Sequence, residues 1–137
     1  MTADVEIAIE KLVAIVFLVV GISHLVQPRA WSEFFIRMRE KGPVGSLQLG
    51  LLNLPFAVMI IAFHNIWRGL PMIVSIIGWA LLLKSLLYLV WPKHGLRMLG
   101  TISIENSWRF VVGGVFSIAI GGLIVFSLWQ SSLTSRP

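Results

Sequence analysis

A lysine stands inside one of the oiliest stretches of this chain, WALLLKSLLYLVWPKHG (79–95). At the centre of a membrane helix such a charge costs about 2.5–3.5 kcal/mol on insertion scales, so an intramembrane ammonium group points to a function by default. Two chemistries fit Lys84. In the first, its stem snorkels toward the interface. Trp91 lies seven residues on, roughly 10 Å along a helix at 1.5 Å per residue, and Tyr88 and Trp91 share its face at i+4 and i+7. In the second, the cation binds an anionic lipid head group, a quinone oxygen or a partner's carboxylate. Asn53 is the other polar residue expected at mid-membrane depth. It sits just before Pro55 in the small, polar stripe Ser46, Gly50, Asn53 and Ala57. An asparagine in lipid is expected to hydrogen-bond across to a neighbouring helix, with Lys84 at a similar depth.

Other chemistry is thinly represented. There is no cysteine, which excludes thiolate ligands, thiol nucleophiles and disulfides. His24 and His94 fall at the ends of apolar segments on one side of the membrane, and His64 at an outer turn on the other. Only the first two share a depth, as a bis-histidine haem requires. No HExxH, Glu-x-x-His or paired carboxylates occur within the apolar segments, so no metal and no cofactor is expected. The carboxylates Asp4, Glu6, Glu10, Glu33, Glu40 and Glu105 are all placed outside the spanning cores. That counts against proton-coupled transport, which relies on a core acid. Ser23, Ser75, Ser85 and Ser117 have no histidine–carboxylate pair near them in sequence. An enzyme is the less favoured expectation.

These residues need elements to carry them, and the composition says which. Of 137 residues, 57% are hydrophobic and only 12% are charged, with a mean hydropathy of +0.89. Soluble domains carry about 25% charged residues, and a chain this short cannot hide so much apolar surface from water. Lipid is the natural solvent. In lipid, backbone groups must be paired within the segment, so the apolar runs are helices. A span needs about 20 apolar residues. The runs predict helices over about 5–27, 44–64, 69–91 and 107–129, in a single transmembrane domain over 1–137. The first is read as retained rather than a signal peptide, because Asp4, Glu6 and Glu10 stand where a signal would be basic.

The net charge is +5. Its bases flank apolar runs, which fits anionic lipid head groups and membrane orientation rather than nucleic acid. Arg29, Arg37, Arg39, Lys41, Lys93, Arg97 and Arg109 lie on one side, against Lys11, Arg68 and Arg136 on the other, seven to three. The longer connections are therefore expected in the cytoplasm and both termini outside it, in the inner (plasma) membrane.

The first connection, PRAWSEFFIRMREKGP, has its own helical period. Trp31, Phe34, Phe35 and Met38 form one apolar stripe, with Arg29, Glu33, Arg37 and Glu40 on the other faces. It predicts an amphipathic helix over about 29–41, either lying in the interface or packing on the bundle. HLVQPRA (24–30) aligns with YLVWPKH (88–94). The alignment implies two helix–elbow–helix hairpins in parallel repeat. The expected fold is thus an all-α, polytopic four-transmembrane-helix bundle. In the last helix Arg109, Gly113, Ser117 and Gly121 follow at i+4 steps; Gly113, Ser117 and Gly121 read as a helix-packing face.

The stretches GISHLVQPRAW (21–31) and GWALLLKSLLYLVWP (78–92) resemble small bacterial four-helix membrane proteins of the DoxX-like group. The resemblance implies four spans, with a glycine in the first helix and a proline closing it. It also implies, for some members, an accessory role in membrane redox enzymes. The leading expectation is a non-enzymatic accessory or scaffold subunit that contacts helices and anionic lipids, in a homo-oligomer or larger membrane complex. The alternatives are a small carrier or channel for a lipid-like or anionic solute, and a quinone- or haem-holding redox subunit. Candidate ligand or lipid contacts are Lys84, Asn53, Tyr88, His24, Arg29, Arg37 and Lys93.

Overall fold

The computed structural model describes residues 2–134, which form helices and no strand. Arg136 of the charge count lies outside them. The helices are α1 (Thr2–Val26), α2 (Pro28–Glu40), α3 (Pro43–Phe63), α4 (Met72–Val90), α5 (Pro92–Leu99) and α6 (Trp108–Thr134). Three of them, α3, α4 and α6, are long and apolar enough to cross a membrane.

Proline sets the breaks. Pro28, Pro43 and Pro92 each open a helix, where the missing N–H costs nothing. The ring also pushes the preceding residue out of the helical region. Gln27 (φ −137°, ψ 58°) and Trp91 (φ −125°, ψ 62°) turn the chain with nearly the same dihedrals. The third connection therefore holds a short helix, α5, which the apolar pattern does not announce. Gly42 (φ 61°) makes the turn from α2 into α3, a left-handed conformation that glycine adopts without strain. Gly69 (φ 61°) and Pro71 delay the start of α4 to Met72, later than the apolar pattern implies.

The long helices pair as antiparallel neighbours, α1 with α6 and α3 with α4. Each pair closes on a glycine. A Cβ on Gly114 would stand 2.7 Å from the Gly21 carbonyl oxygen and 3.2 Å from Leu25 Cδ2. A Cβ on Gly50 would stand 3.3 Å from the Ser85 carbonyl oxygen and 2.8 Å from Leu89 Cδ2. The shift that carries Gln27 onto Trp91 carries Gly50 onto Gly114, Gly21 onto Ser85 and Leu25 onto Leu89. The same contact is thus made twice, once in each helix pair. Ser117 Oγ donates to the Phe17 carbonyl at 2.7 Å, and Ser46 Oγ to the Tyr88 carbonyl at 2.7 Å, adding one cross-helix bond to each pair.

The expected packing stripe of Gly113, Ser117 and Gly121 is corrected in one position. Gly121 meets Leu18, and Ser117 bonds across, but nothing lies within 4 Å of a Cβ on Gly113. The close approach belongs to its neighbour, Gly114. A helix of 3.6 residues per turn drifts off a strict four-residue step, so the stripe cannot hold one face over its whole length.

Two apolar clusters hold the ends. Ile9, Val13, Ala14, Ile60, Val74 and Ile124 pack at the end nearer the chain termini. Leu49, Tyr88 and Leu99 pack at the elbow end, covered by Phe34, Phe35 and Met38 of α2. The aromatic stripe of α2 therefore turns inward, leaving Arg29 and Arg37 exposed. Outside, large apolar side chains such as Val19 (61% exposed) and Phe116 (66%) face outward, as lipid contact requires.

Adjacent glycines test this packing. Gly114→Ala must move backbone on α1, and overpacking of this kind costs about 1–3 kcal/mol. Gly113→Ala enters open space and should leave stability unchanged or slightly raised through helix propensity. Thermal unfolding in detergent should separate the two variants clearly, and equal melting points would contradict the close crossing.

Candidate ligand site

Between the two helix pairs the bundle leaves a cleft of about 630 Å³. This is the size range of small-molecule pockets. Its walls are mostly aliphatic and aromatic, but Lys84, Arg109, His24, Asn53 and Ser117 also line it, and no carboxylate does. The elements fix where these polar groups lie. His24 is in the last turn of α1 and Arg109 in the first turn of α6, at the elbow end. Lys84 is about 10 Å inward from the α4 elbow at 1.5 Å per residue. The opposite end is walled by Leu12, Val13, Ile60 and Ile77. From His24 to Leu12 the cleft follows α1 for roughly 18 Å by the same rise. It is thus cationic at one end and apolar along its length.

Part of the lining pairs under the shift that relates the elbows. Val13 answers Ile77, Phe17 answers Leu81, Asn53 answers Ser117, and Leu49 answers Gly113. Two departures give the cleft character: Val20 is answered by Lys84, which supplies a charge on one side only, and Leu49 is answered by Gly113, which leaves room near it.

The elbow end is capped by an aromatic stack. The His24 ring lies 4.3 Å from Trp31 and 5.5 Å from Phe110, stacked on both, and Phe35 stacks on Phe110 at 5.7 Å. Trp31 Nε1 donates to Ser23 Oγ at 3.0 Å, fixing α2 over α1. His24 Nδ1 donates to the Val20 carbonyl at 2.8 Å. That bond fixes the proton on Nδ1 in the neutral ring and leaves Nε2 as the exchangeable position. Arg39 ties the cap down by donating to the Leu99 carbonyl at 2.9 Å and the Ile102 carbonyl at 3.1 Å.

The candidate residues are placed as follows. Lys84, Asn53 and His24 each line the cleft, with Lys84 exposed. Asn53 is corrected in its partner: its Nδ2 donates to the Leu49 carbonyl of its own helix at 2.7 Å rather than across to another. The preceding turn of α3 already offers an acceptor within reach, so the amide needs no neighbouring helix. Tyr88 is not at the cleft. It is 5% exposed and packed against Gly95 and Leu49, where its ring fills the α4–α5 elbow. Arg29, Arg37 and Lys93 are exposed on α2 and α5, away from the cleft lining. His94, the other half of a bis-histidine pair, is exposed on α5 and does not line the cleft. Arg109 is legible in the sequence as a base of the elbow side and as the head of a packing stripe. Its i+4 relation to Gly113 and Ser117 in fact marks the face of α6 that borders the cleft.

A second polar cluster lies at the opposite end. Glu10 is 6% exposed, and His64, at the turn that follows α3, is 1% exposed. They meet at 3.2 Å, with His64 Nδ1 3.1 Å from Ser75 Oγ. Sequence separation concealed this cluster, since its members come from α1, the end of α3 and the first turn of α4. Comparison with protein-family models, curated proteins and solved structures finds no match for the chain.

Arg39→Met keeps the stem and removes both carbonyl contacts of the α2 cap. Hydrogen bonds from a charged group are worth about 1.5–3 kcal/mol. The variant should remain folded, with amide exchange along 28–40 accelerated roughly tenfold or more while α3 and α6 are unchanged. Unaltered exchange in that segment would show that the aromatic contacts alone hold the cap.

Proposed function

We propose that this protein is a polytopic membrane protein that binds a single-chain acidic amphiphile in its central cleft. The observation that carries the reading is that Lys84 and Arg109 both line a mainly apolar cleft with no carboxylate in its wall. Both residues are exposed on the bundle, so in lipid a cation without a partner would be costly, and an anionic head group would supply one. The acid group would lie between Lys84 and Arg109, with His24 Nε2 near the same end. The chain would run along Phe17, Leu81 and Val13 toward Leu12. A volume of about 630 Å³ suits one chain rather than a bulky polycyclic ring.

The same proposal places four spans in the inner membrane. α1 lies along α6, itself long and apolar enough to span, and would cross with it. The matched elbows and glycine crossings support two parallel-repeat hairpins, α1–α2–α3 and α4–α5–α6. The elbows, with Arg29, Arg37, Lys93 and Arg97 exposed on them, would face the cytoplasm and its anionic lipids. A purely scaffolding subunit accounts for the packing faces but gives the two cleft cations no task. An accessory role of the kind implied by the DoxX-like resemblance is compatible with a subunit that presents an acidic amphiphile to a larger complex or to a second copy. A quinone, which is neutral, would use the apolar wall but not both cations.

Binding can be read with oleate and its neutral counterpart oleyl alcohol, using displacement of a fluorescent fatty acid from purified protein. Oleate should bind at least tenfold tighter than the alcohol. Lys84→Met and Arg109→Met should each weaken oleate by roughly 10- to 100-fold, the worth of a charge-assisted bond, and leave the alcohol unchanged. Equal affinity for the two probes, or Met variants that bind oleate like the parent, would sink the reading. For topology, a reporter joined after residue 137 should be active only on the non-cytoplasmic side.

A further inference from the structure

The polar cluster at the end opposite the elbows has a proton count that its geometry determines. Ser75 Oγ lies 2.8 Å from the Ile66 carbonyl and 3.0 Å from the Ile66 N–H. A carbonyl only accepts, so the serine proton goes there, and the hydroxyl oxygen accepts from the Ile66 amide. Its second lone pair faces His64 Nδ1 at 3.1 Å, which must therefore carry a hydrogen. That leaves His64 Nε2 facing Glu10 Oε1 at 3.2 Å. One proton must lie between them, on the ring as an imidazolium–carboxylate pair or on the acid as a neutral pair. Without it, two lone pairs oppose each other in a site where both residues are buried. The alternative is for the serine to turn to the ring, which strands the Ile66 carbonyl.

The set contains serine, histidine and a carboxylate, but it is not built as a nucleophile. Ser75 is 1% exposed and its hydroxyl is committed twice to Ile66. It is a holder of a proton. The other groups at this end do not replace that proton. α1 adds Glu6, which with His64 and Asn65 lines a recess of about 280 Å³. α6 presents Ile124 and Leu128 to the neighbouring core, neither of them titratable. Arg68 of the connecting loop is exposed, and Lys11 on α1 is exposed as well. The recess gives a proton a way in.

The cluster also joins the helices that close the cleft. Glu10 is one turn from Val13 on α1, and His64 one turn from Ile60 on α3; Val13 and Ile60 both line the cleft's apolar end. We propose that Glu10 and His64, oriented by Ser75, bind one proton that clamps α1 to α3 and α4, and that losing it opens the cleft at this end. The chemistry balances simply: the proton passes between the pair and water in the recess, and no bond to carbon changes. Such a site would make entry or exit of a cleft ligand proton-dependent. It stands whatever the ligand is.

The absence of cysteine allows a clean test. A single Leu12→Cys reporter, placed in the cleft beside the clamp, is labelled with a water-soluble maleimide across pH in the full-length protein. The reporter is compared with and without a second substitution, Glu10→Gln. That change mimics the protonated acid, since its amide can donate to Nε2 at any pH, and the thiol's own pH dependence is common to both proteins. The labelling rate with Glu10 intact should rise at least fivefold above that of Glu10→Gln once the pair deprotonates, and match it at lower pH. Glu10→Ala should label fast throughout. Coincident labelling profiles with and without Glu10→Gln would overturn the proposal. Gel filtration and circular dichroism of each variant confirm that it is folded.

Discussion

Two glycine crossings govern the architecture. Where Gly114 meets the Gly21 carbonyl and Gly50 meets Leu89 and the Ser85 carbonyl, helices approach nearly backbone to backbone. In lipid there is no hydrophobic drive between helices, so such close packing, with the cross-helix bonds of Ser117 and Ser46, is what makes association favourable. These crossings draw α1 onto α6 and α3 onto α4. Because the tight contacts are made within the pairs, the space between the pairs is left less filled. The cleft follows from this geometry: Gly113, one residue from a crossing glycine, adds no side chain to the space.

Polar groups in such a bundle are held in two different ways. At the end near the termini, Glu10, His64 and Ser75 satisfy one another and the Ile66 backbone. A closed network of this kind ties three helices together. At the elbow end, Lys84 and Arg109 have no such partner among the described residues, and the cleft remains the direction in which one can arrive. The α2 cap, stacked through His24, Trp31, Phe35 and Phe110 and held by Arg39, covers that end. Structure is thus most complete where the charges are matched, and most open where they are not.

The amphipathic elbow shows how two roles share one helix. Its aromatic stripe is half-buried against the bundle, while Arg29 and Arg37 stay exposed. The period of apolar residues reveals the stripe but not what it covers, because lipid and a protein core are equally apolar partners for Trp31, Phe34 and Phe35.

What the sequence determined by itself was local and compositional. The apolar runs demanded helices, the prolines at 28, 43 and 92 demanded breaks, and the match of HLVQPRA to YLVWPKH announced that the two elbows would turn alike. Lys84 was conspicuous because its cost depends only on its neighbours in the chain. Tertiary structure decided which faces meet. It buried Tyr88 in an elbow and turned Asn53 to its own helix. It moved the packing contact from Gly113 to Gly114, and set Arg109 beside the cleft with Lys84. It also brought Glu10 to His64 across most of the first two long helices. Each of these depends on the rotation and crossing of helices. That is set by side-chain contacts between segments far apart in the chain, which periodicity along one segment does not encode.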